Sequence, residues 1–159
     1  MRILGIDMGT HTGWCTMESD GGSIHVHQTN CYHLKKMMEL HGSVGRWVGF
    51  LNLLSEYGGD ADYIAYEEVP SAVHSAAGAA RVYGALFATL ELWCMEHKKE
   101  LVPISIQAVK KAMTGTGRAS KEMMLKAARK RFTVPVIDHN QADAMGVCLA
   151  AFAHLRGLN

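Results

Sequence analysis

The run Arg2-Ile3-Leu4-Gly5-Ile6-Asp7, apolar and partly β-branched, ends on a carboxylate and turns at once through Met8-Gly9-Thr10. A run of this length and composition, bounded by a turn, reads as a buried strand. Side chains alternate along a strand, so Ile3, Gly5 and Asp7 share one side and Leu4 and Ile6 take the other. A carboxylate at the end of a buried strand has to be paired or bound to a cation, because desolvating it alone costs several kcal/mol or more. Two more acids stand in comparable settings. Glu67 follows Tyr63-Ile64-Ala65-Tyr66, and Asp143 opens the apolar segment that begins Ala144-Met145. Glu68 must face away from Glu67 if the strand continues, so only one of that pair can join Asp7. Three carboxylates at the ends of three core elements are arranged like a metal site. Taken singly, each has a plainer account; for Asp143, in the first turn of a helix, it is compensation of the helix dipole.

The rest of the chain supplies a sheet and its covering helices. Residues 13–18 and 24–29 read as the second and third strands, joined by the turn Asp20-Gly21-Gly22-Ser23. The alternating His25 and His27 belong to an exposed strand face. From 32 to 57, Leu34, Met37, Met38, Val44, Trp47, Val48, Leu51 and Leu54 recur at helical spacing, which predicts one helix stopped by Gly58-Gly59. Residues 62–67 make a fourth strand that Pro70 ends. A helix over 73–97 follows, on which Ala72, Ala76, Ala80, Gly84 and Ala88 form a flat ridge. Such a ridge admits a close neighbour, with core packing expected and contact with a second copy the alternative. Residues 101–104 are a short fifth strand, with Pro103 suited to an edge. A helix over 106–113, the loop Thr114-Gly115-Thr116-Gly117 and a basic helix capped by Ser120 come next. The last helix starts at Asp138 or a neighbour and ends near Gly157. Three strands followed by strand–helix alternation make a single α/β domain over 1–159 with a five-stranded mixed sheet flanked by helices.

Composition narrows the function classes. At 159 residues, 48% hydrophobic and 19% charged, the chain can bury a core. No signal peptide and no membrane-spanning run is expected. Cys15, Cys31, Cys94 and Cys148 form no CxxC pair and read as buried thiols of a cytoplasmic protein. The net charge of +1 conceals a polarity. Between Lys98 and Arg131 there are ten Lys and Arg against Glu100 and Glu122, a segment of +8 on a remainder of −7. Its plain reading is a solvated helix face, and its functional reading a polyanionic partner. Oxygen-only ligands suit Mg²⁺ or Mn²⁺, and two such ions about 4 Å apart can drive phosphodiester cleavage. Carboxylates and a basic phosphate grip together read as a nuclease.

Four stretches carry a specific resemblance: Ile3-Leu4-Gly5-Ile6-Asp7-Met8-Gly9-Thr10, Ile64-Ala65-Tyr66-Glu67-Glu68-Val69, Val109-Lys110 through Lys121, and Gln141-Ala142-Asp143-Ala144. In order and interval the chain resembles the RuvC family of Holliday-junction resolvases, its short phage-type members in particular, within the ribonuclease H-like fold. The resemblance implies a metal-dependent, structure-selective endonuclease that cuts Holliday junctions or related branched DNA. It implies a homodimer in the cytoplasm of a bacterial cell or phage-infected host, since two symmetrical cuts suit C₂ pairing. It further implies Asp7, Glu67 and Asp143 as catalytic ligands of two Mg²⁺ or Mn²⁺ ions, with Lys110 and Lys121 contacting DNA phosphate near the cut or supporting the catalytic charge, Lys121 being counted among the catalytic residues. Lys111, Arg118 and, on the small-residue helix, Arg81 are further nucleic-acid candidates; His11 and His74 could approach DNA similarly.

Two departures stand out. The family usually carries an acid or a His three residues before the last Asp, where this chain has Asn140. Asp138 and His139 lie just upstream, and Asp138 is favoured slightly as the fourth ligand and catalytic acid. It competes with its own role as an N-cap paired with Gln141, while His139 shares a helix face with Asp143. Pro70 also replaces an aromatic expected after the Glu strand. Other functions open to the sequence are a non-catalytic nucleic-acid-binding module of the same fold and a sugar-kinase- or actin-type phosphotransferase, whose first strand also reads Gly-Ile-Asp-x-Gly-Thr. Those proteins need two such domains.

Overall fold

The computed structural model describes residues 1–70 and 77–157. Its five strands are β1 (Arg2–Asp7), β2 (His11–Ser19), β3 (Ile24–His33), β4 (Tyr63–Glu68) and β5 (Glu100–Ser105). They form one mixed sheet in the order β3-β2-β1-β4-β5. β1, β2 and β3 run antiparallel as a meander, and β4 and β5 add in parallel on the other side of β1. β2 and β3 are longer than the sequence predicts. The Asp20 turn joins them as expected: Asp20 Oδ1 accepts from the backbone N–H of Gly22 at 2.9 Å and of Ser23 at 2.8 Å. Pro103 sits on the edge strand β5, where its missing N–H costs no ladder bond on the outer side.

Helices α1 (Leu34–His41), α2 (Gly45–Leu53), α3 (Ala77–His97), α4 (Ile106–Thr114), α5 (Lys121–Arg131) and α6 (His139–Leu155) cover both faces. The strand alternation divides the core as the sequence implies. Ile3, Cys15, Met17, Ala65, Val102 and Ile104 pack with α4, α5 and α6. Leu4, Ile6, Trp14, Ile64 and Tyr66 pack with α1, α2 and α3. Trp14 and Trp93 are buried in this second layer, and Trp47 packs on it half-buried. No described helix is long and apolar enough to cross a membrane.

Two helical expectations are corrected. The single helix over 32–57 is instead α1, a 3-10 turn at Gly42–Val44, α2 and a π-helical turn at Leu54–Gly58. The break is at Gly42, whose φ of 70° lies outside the right-handed helix, so apolar spacing survived where backbone continuity did not. The ridge on α3 does not pack in the core: Gly84 and Ala88 are exposed, and a Cβ at Gly84 would meet nothing within 4 Å. The helix buries the other side, through Leu86, Leu90, Trp93 and Cys94. Ala72, Ala76 and His74 fall outside the described residues.

Candidate active site

β1 and β4 are parallel neighbours with Ile6 opposite Tyr66, so the next step along each strand sets Asp7 beside Glu67. Both follow residues buried towards α6, Gly5 before Asp7 and Ala65 before Glu67. Glu68, one residue on, is exposed and lines a separate cavity of about 560 Å³ with Lys111, Pro103 and His154. Glu67 is therefore the member of that pair that shares a face with Asp7. The Tyr83 hydroxyl fixes the end of β4 by donating to Glu67 O and accepting from Val69 N, each at 3.2 Å.

The third acid arrives on α6. That helix can lie against β1 and β2 only because two strand residues lack a side chain. A Cβ on Gly5 would stand 2.5 Å from Cys148 Sγ and 2.8 Å from Ala144 O, and one on Gly13 would stand 2.1 Å from Asn140 O. These glycines set the depth at which Asp143 faces the strand ends. The expectation that Asp143 lies in the first helical turn is corrected: α6 begins at His139, which makes Asp143 its fifth residue. The dipole account weakens accordingly, because that effect falls off within the first turn.

The three carboxylates perturb one another. Burial raises the Asp7 pKa well above the ordinary carboxylate value, Glu67 and Asp143 raise it further, Lys121 opposes them and Asp138 adds to them. Glu67 is pushed up to about 7, by burial first and then by Asp143, with Lys110 and Lys121 pulling the other way. Asp143 is also raised by burial, against the lowering influence of His139, Lys121 and Lys110. Mutual repulsion among half-buried acids is the condition a bound cation relieves. The donors are all hard oxygens, which fits Mg²⁺ or Mn²⁺, ions that keep several waters and need few protein ligands. Among the described residues no three His, Cys, Asp or Glu close on a common point as a finished ligand cage.

Of the two roles the sequence leaves open for it, Asp138 forms the cap. It is the N-cap of α6, its Oδ1 accepting from Gln141 N at 3.0 Å while Gln141 Oε1 accepts from Asp138 N at 3.2 Å. Its charge still reaches Asp7 and Asp143. It also contacts the half-buried Cys31 thiol, which burial and Asp138 together push up to about 12. Cys31 on β3 was not singled out by sequence, since nothing local marks a strand cysteine as a neighbour of this site.

Of the basic candidates, Lys110 on α4 and Lys121 at the start of α5 act on the carboxylates, as does His139. Lys111 lies in the other cavity, Arg118 is exposed in the loop before α5, and Arg81 is exposed on α3. Part of the +8 segment is structural: Arg129 donates to Val136 O and Ile137 O, Arg131 to Ala112 O, and Lys99 to Gly59 O and Ala61 O.

Residues 3–151 match the family model described as crossover junction endodeoxyribonuclease RuvC. The fold is similar to that of Thermus thermophilus RuvC in complex with Holliday junction substrate, with a TM-score of 0.73 and 21% identity over 99% of this chain and 97% of that one. It is similar to the yeast mitochondrial Holliday junction resolvase, with a TM-score of 0.67 and 14% identity over 99% and 80% of the two chains. The fowlpox virus resolvase, solved with Holliday junction DNA, gives a TM-score of 0.56 at 12% identity over 98% and 99%.

Proposed function

Because this chain belongs to the RuvC family of crossover junction endodeoxyribonucleases, we propose that it hydrolyses phosphodiester bonds in four-way or related branched DNA at the site formed by Asp7, Glu67 and Asp143. The observation that carries this reading is Asp7 beside Glu67 at the ends of β1 and β4, with the charge of Asp143 acting on both, all three carboxylates raised by burial and opposed by Lys121. The carboxylates would hold divalent ions, with Mg²⁺ the expected occupant and Mn²⁺ its substitute, and Asp138 would be the fourth ligand ahead of His139. Two ions held there would supply an activated water and stabilise the leaving oxygen of the cut strand.

The chain's own groups have separable roles. Asp7 lies between Glu67 on one side and α6 on the other and is the donor shared by the whole cluster. Lys121 and Lys110 offset the negative charge of the site and give a phosphate its first cationic contacts. Lys111, Arg118 and Arg81, farther out, serve the flanking duplex arms. Tyr83 and the two strand glycines position the acids without touching substrate.

A four-way junction needs two cuts, and a homodimer places two such sites by symmetry. The surface that suits a second copy is the outer side of α3, where Gly84, Ala88, Leu92 and Met95 are exposed, Leu92 at 58% and Met95 at 70%. Small residues beside exposed apolar ones on one helix allow a close helix–helix approach.

The test is incubation of the protein with a synthetic four-way junction, a flap and a linear duplex in the presence of Mg²⁺. Selective, paired cutting of the junction that is lost in Asp7→Asn supports the reading. Junction binding without cutting in either Mg²⁺ or Mn²⁺ would instead assign a non-catalytic binding module. Full activity of Asp7→Asn would remove the site from the chemistry.

A further inference from the structure

A second cavity, of about 370 Å³, lies between the β1–β2 turn, α1 and α3. It is on the side of the sheet away from α6, yet the same turn links it to the acids. Thr10 and His11, which line it, follow Asp7 by three and four residues, and Leu34 N donates to Thr10 O at 3.2 Å. Its walls are apolar, from Leu34, Met38 and Val82. Set into them is a cation that meets no acid among the described residues. Arg46 is half-buried; among the described residues its Nε is enclosed without a hydrogen-bond partner, and its Nη2 donates to Met38 Sδ at 2.8 Å. Its guanidinium otherwise lies over Trp47, 5.2 Å from the ring centre. Neither a thioether nor a ring face replaces the hydration that Arg46 has given up, and an enclosed donor left unmade is destabilising. Lys35, exposed at the same cavity, adds a second cation.

An occupant of this cavity needs an anionic group for Arg46 and Lys35 and a flat apolar body for the slot. A nucleotide has both, and the volume lies within the roughly 300–1,000 Å³ of small-ligand sites. Arginine is the side chain best shaped to take a phosphate through paired N–H donors. We propose that this cavity receives one unstacked nucleotide of the DNA bound at the neighbouring acids. Its base lies among Leu34, Met38 and Val82 and its phosphate on Arg46 and Lys35. The inference rests on the nuclease reading and adds a recognition site to it. Leu34, Met38 and Val82 carry no base-edge donors, and the polar tips of Thr10 and His11 lie on the turn side of the same cavity, so the slot selects first for a base that is free to leave the stack, as at a branch point.

The experiment uses four-way junctions with 2-aminopurine at single positions on either side of the cut, bound to the Asp7→Asn protein so that the DNA stays intact. One position brightens on binding as its base leaves the stack. The rise is lost in Asp7→Asn carrying Val82→Trp, which fills the slot, and in the same protein carrying Arg46→Gln. Lys35→Gln, at an exposed position that cannot compromise folding, diminishes it. Loss of the Arg46–phosphate contact weakens junction affinity by about 10- to 100-fold. The proposal is overturned if no position brightens, or if the brightening is the same with and without Arg46→Gln in a protein whose circular dichroism is unchanged. Cutting of junctions by the unmodified protein with no brightening anywhere removes the cavity and leaves the nuclease. Absence of junction binding altogether removes both.

Discussion

On one face of the sheet α6 lies so close to β1 and β2 that no Cβ fits at Gly5 or Gly13. On the other, α3 turns Gly84 and Ala88 to solvent, and the segment between β3 and β4 breaks at Gly42 and leaves a cavity around Arg46. The close-packed face carries the acids, because opposed carboxylates hold their spacing only where the backbone beneath them cannot shift. The open face carries apolar surface and a guanidinium that meets no acid among the described residues, features that a partner completes. In this reading chemistry is assigned to the tight side and recognition to the loose one.

The sharpest way to break that division is to neutralise its centre. Asp7→Asn is expected to reduce junction cutting by more than about 100-fold, since the supporting partners of metal ligands alone are typically worth about 10- to 100-fold. Junction affinity, measured in a gel-shift titration, stays within a few-fold. A variant that still cuts places the chemistry elsewhere.

A second measurement uses the repulsion itself. Glu67 is raised from an ordinary 4.5 to about 7, so the folded state holds its proton more tightly than the unfolded chain. The resulting stability is complete below about pH 4.5 and disappears as pH rises through about 7, an effect of about 3 kcal/mol once the group is ionised. Without divalent ions, thermal unfolding should therefore occur at progressively lower temperature between pH 5 and pH 8, about the two ends of that titration. Glu67→Gln should flatten the trend, and Mg²⁺ should reverse it by binding only the folded site. An unchanged slope in Glu67→Gln would show that its carboxylate does not bear the strain.

The third prediction compares the faces directly. Gly5→Val forces a side chain into the space held by Cys148 Sγ and Ala144 O and is expected to cost about 1–3 kcal/mol in chemical denaturation. Cutting falls as well, because Asp143 moves with the helix. Gly84→Ala, into open space on α3, is expected to stabilise the monomer by about 0.5–1 kcal/mol through helix propensity. A gain in monomer stability with a weakened dimer would place Gly84 at the subunit contact.

Much of this arrangement was readable from residue order. The strand ending at Asp7, the alternation that separates Glu67 from Glu68, the Ser120 cap and the Asp138–Gln141 capping box are local patterns, and all of them formed. What escaped depends on distant partners. Nothing near Gly5 or Gly13 announces that α6 will lie over them, and apolar spacing through 32–57 does not reveal that Gly42 leaves the helical region. The small residues on α3 allow close approach, but whether anything approaches is set by Leu86 and Leu90 winning the core. The charge run was overcounted for the same reason, since Lys99, Arg129 and Arg131 serve backbone carbonyls that the sequence does not bring near them.

The smallest expected effect decides how far the tight face extends along α6. Asp138 is both cap and charged neighbour of Asp7 and Asp143, and two substitutions separate the roles. Asp138→Asn keeps a side-chain oxygen for Gln141 N and should leave stability within a few tenths of a kcal/mol, whereas Asp138→Ala loses the cap at a cost of about 1 kcal/mol. If Asp138 is also a metal ligand, Asn and Ala reduce cutting alike and both raise the Mg²⁺ concentration needed for half-maximal activity. If it is only a cap, Asn cuts as the unmodified protein does, and His139→Gln becomes the variant with the altered Mg²⁺ requirement. The close packing over Gly13 and Asn140 favours the first outcome, because it holds the start of α6, and with it the Asp138 carboxylate, against the strand that leads from Asp7.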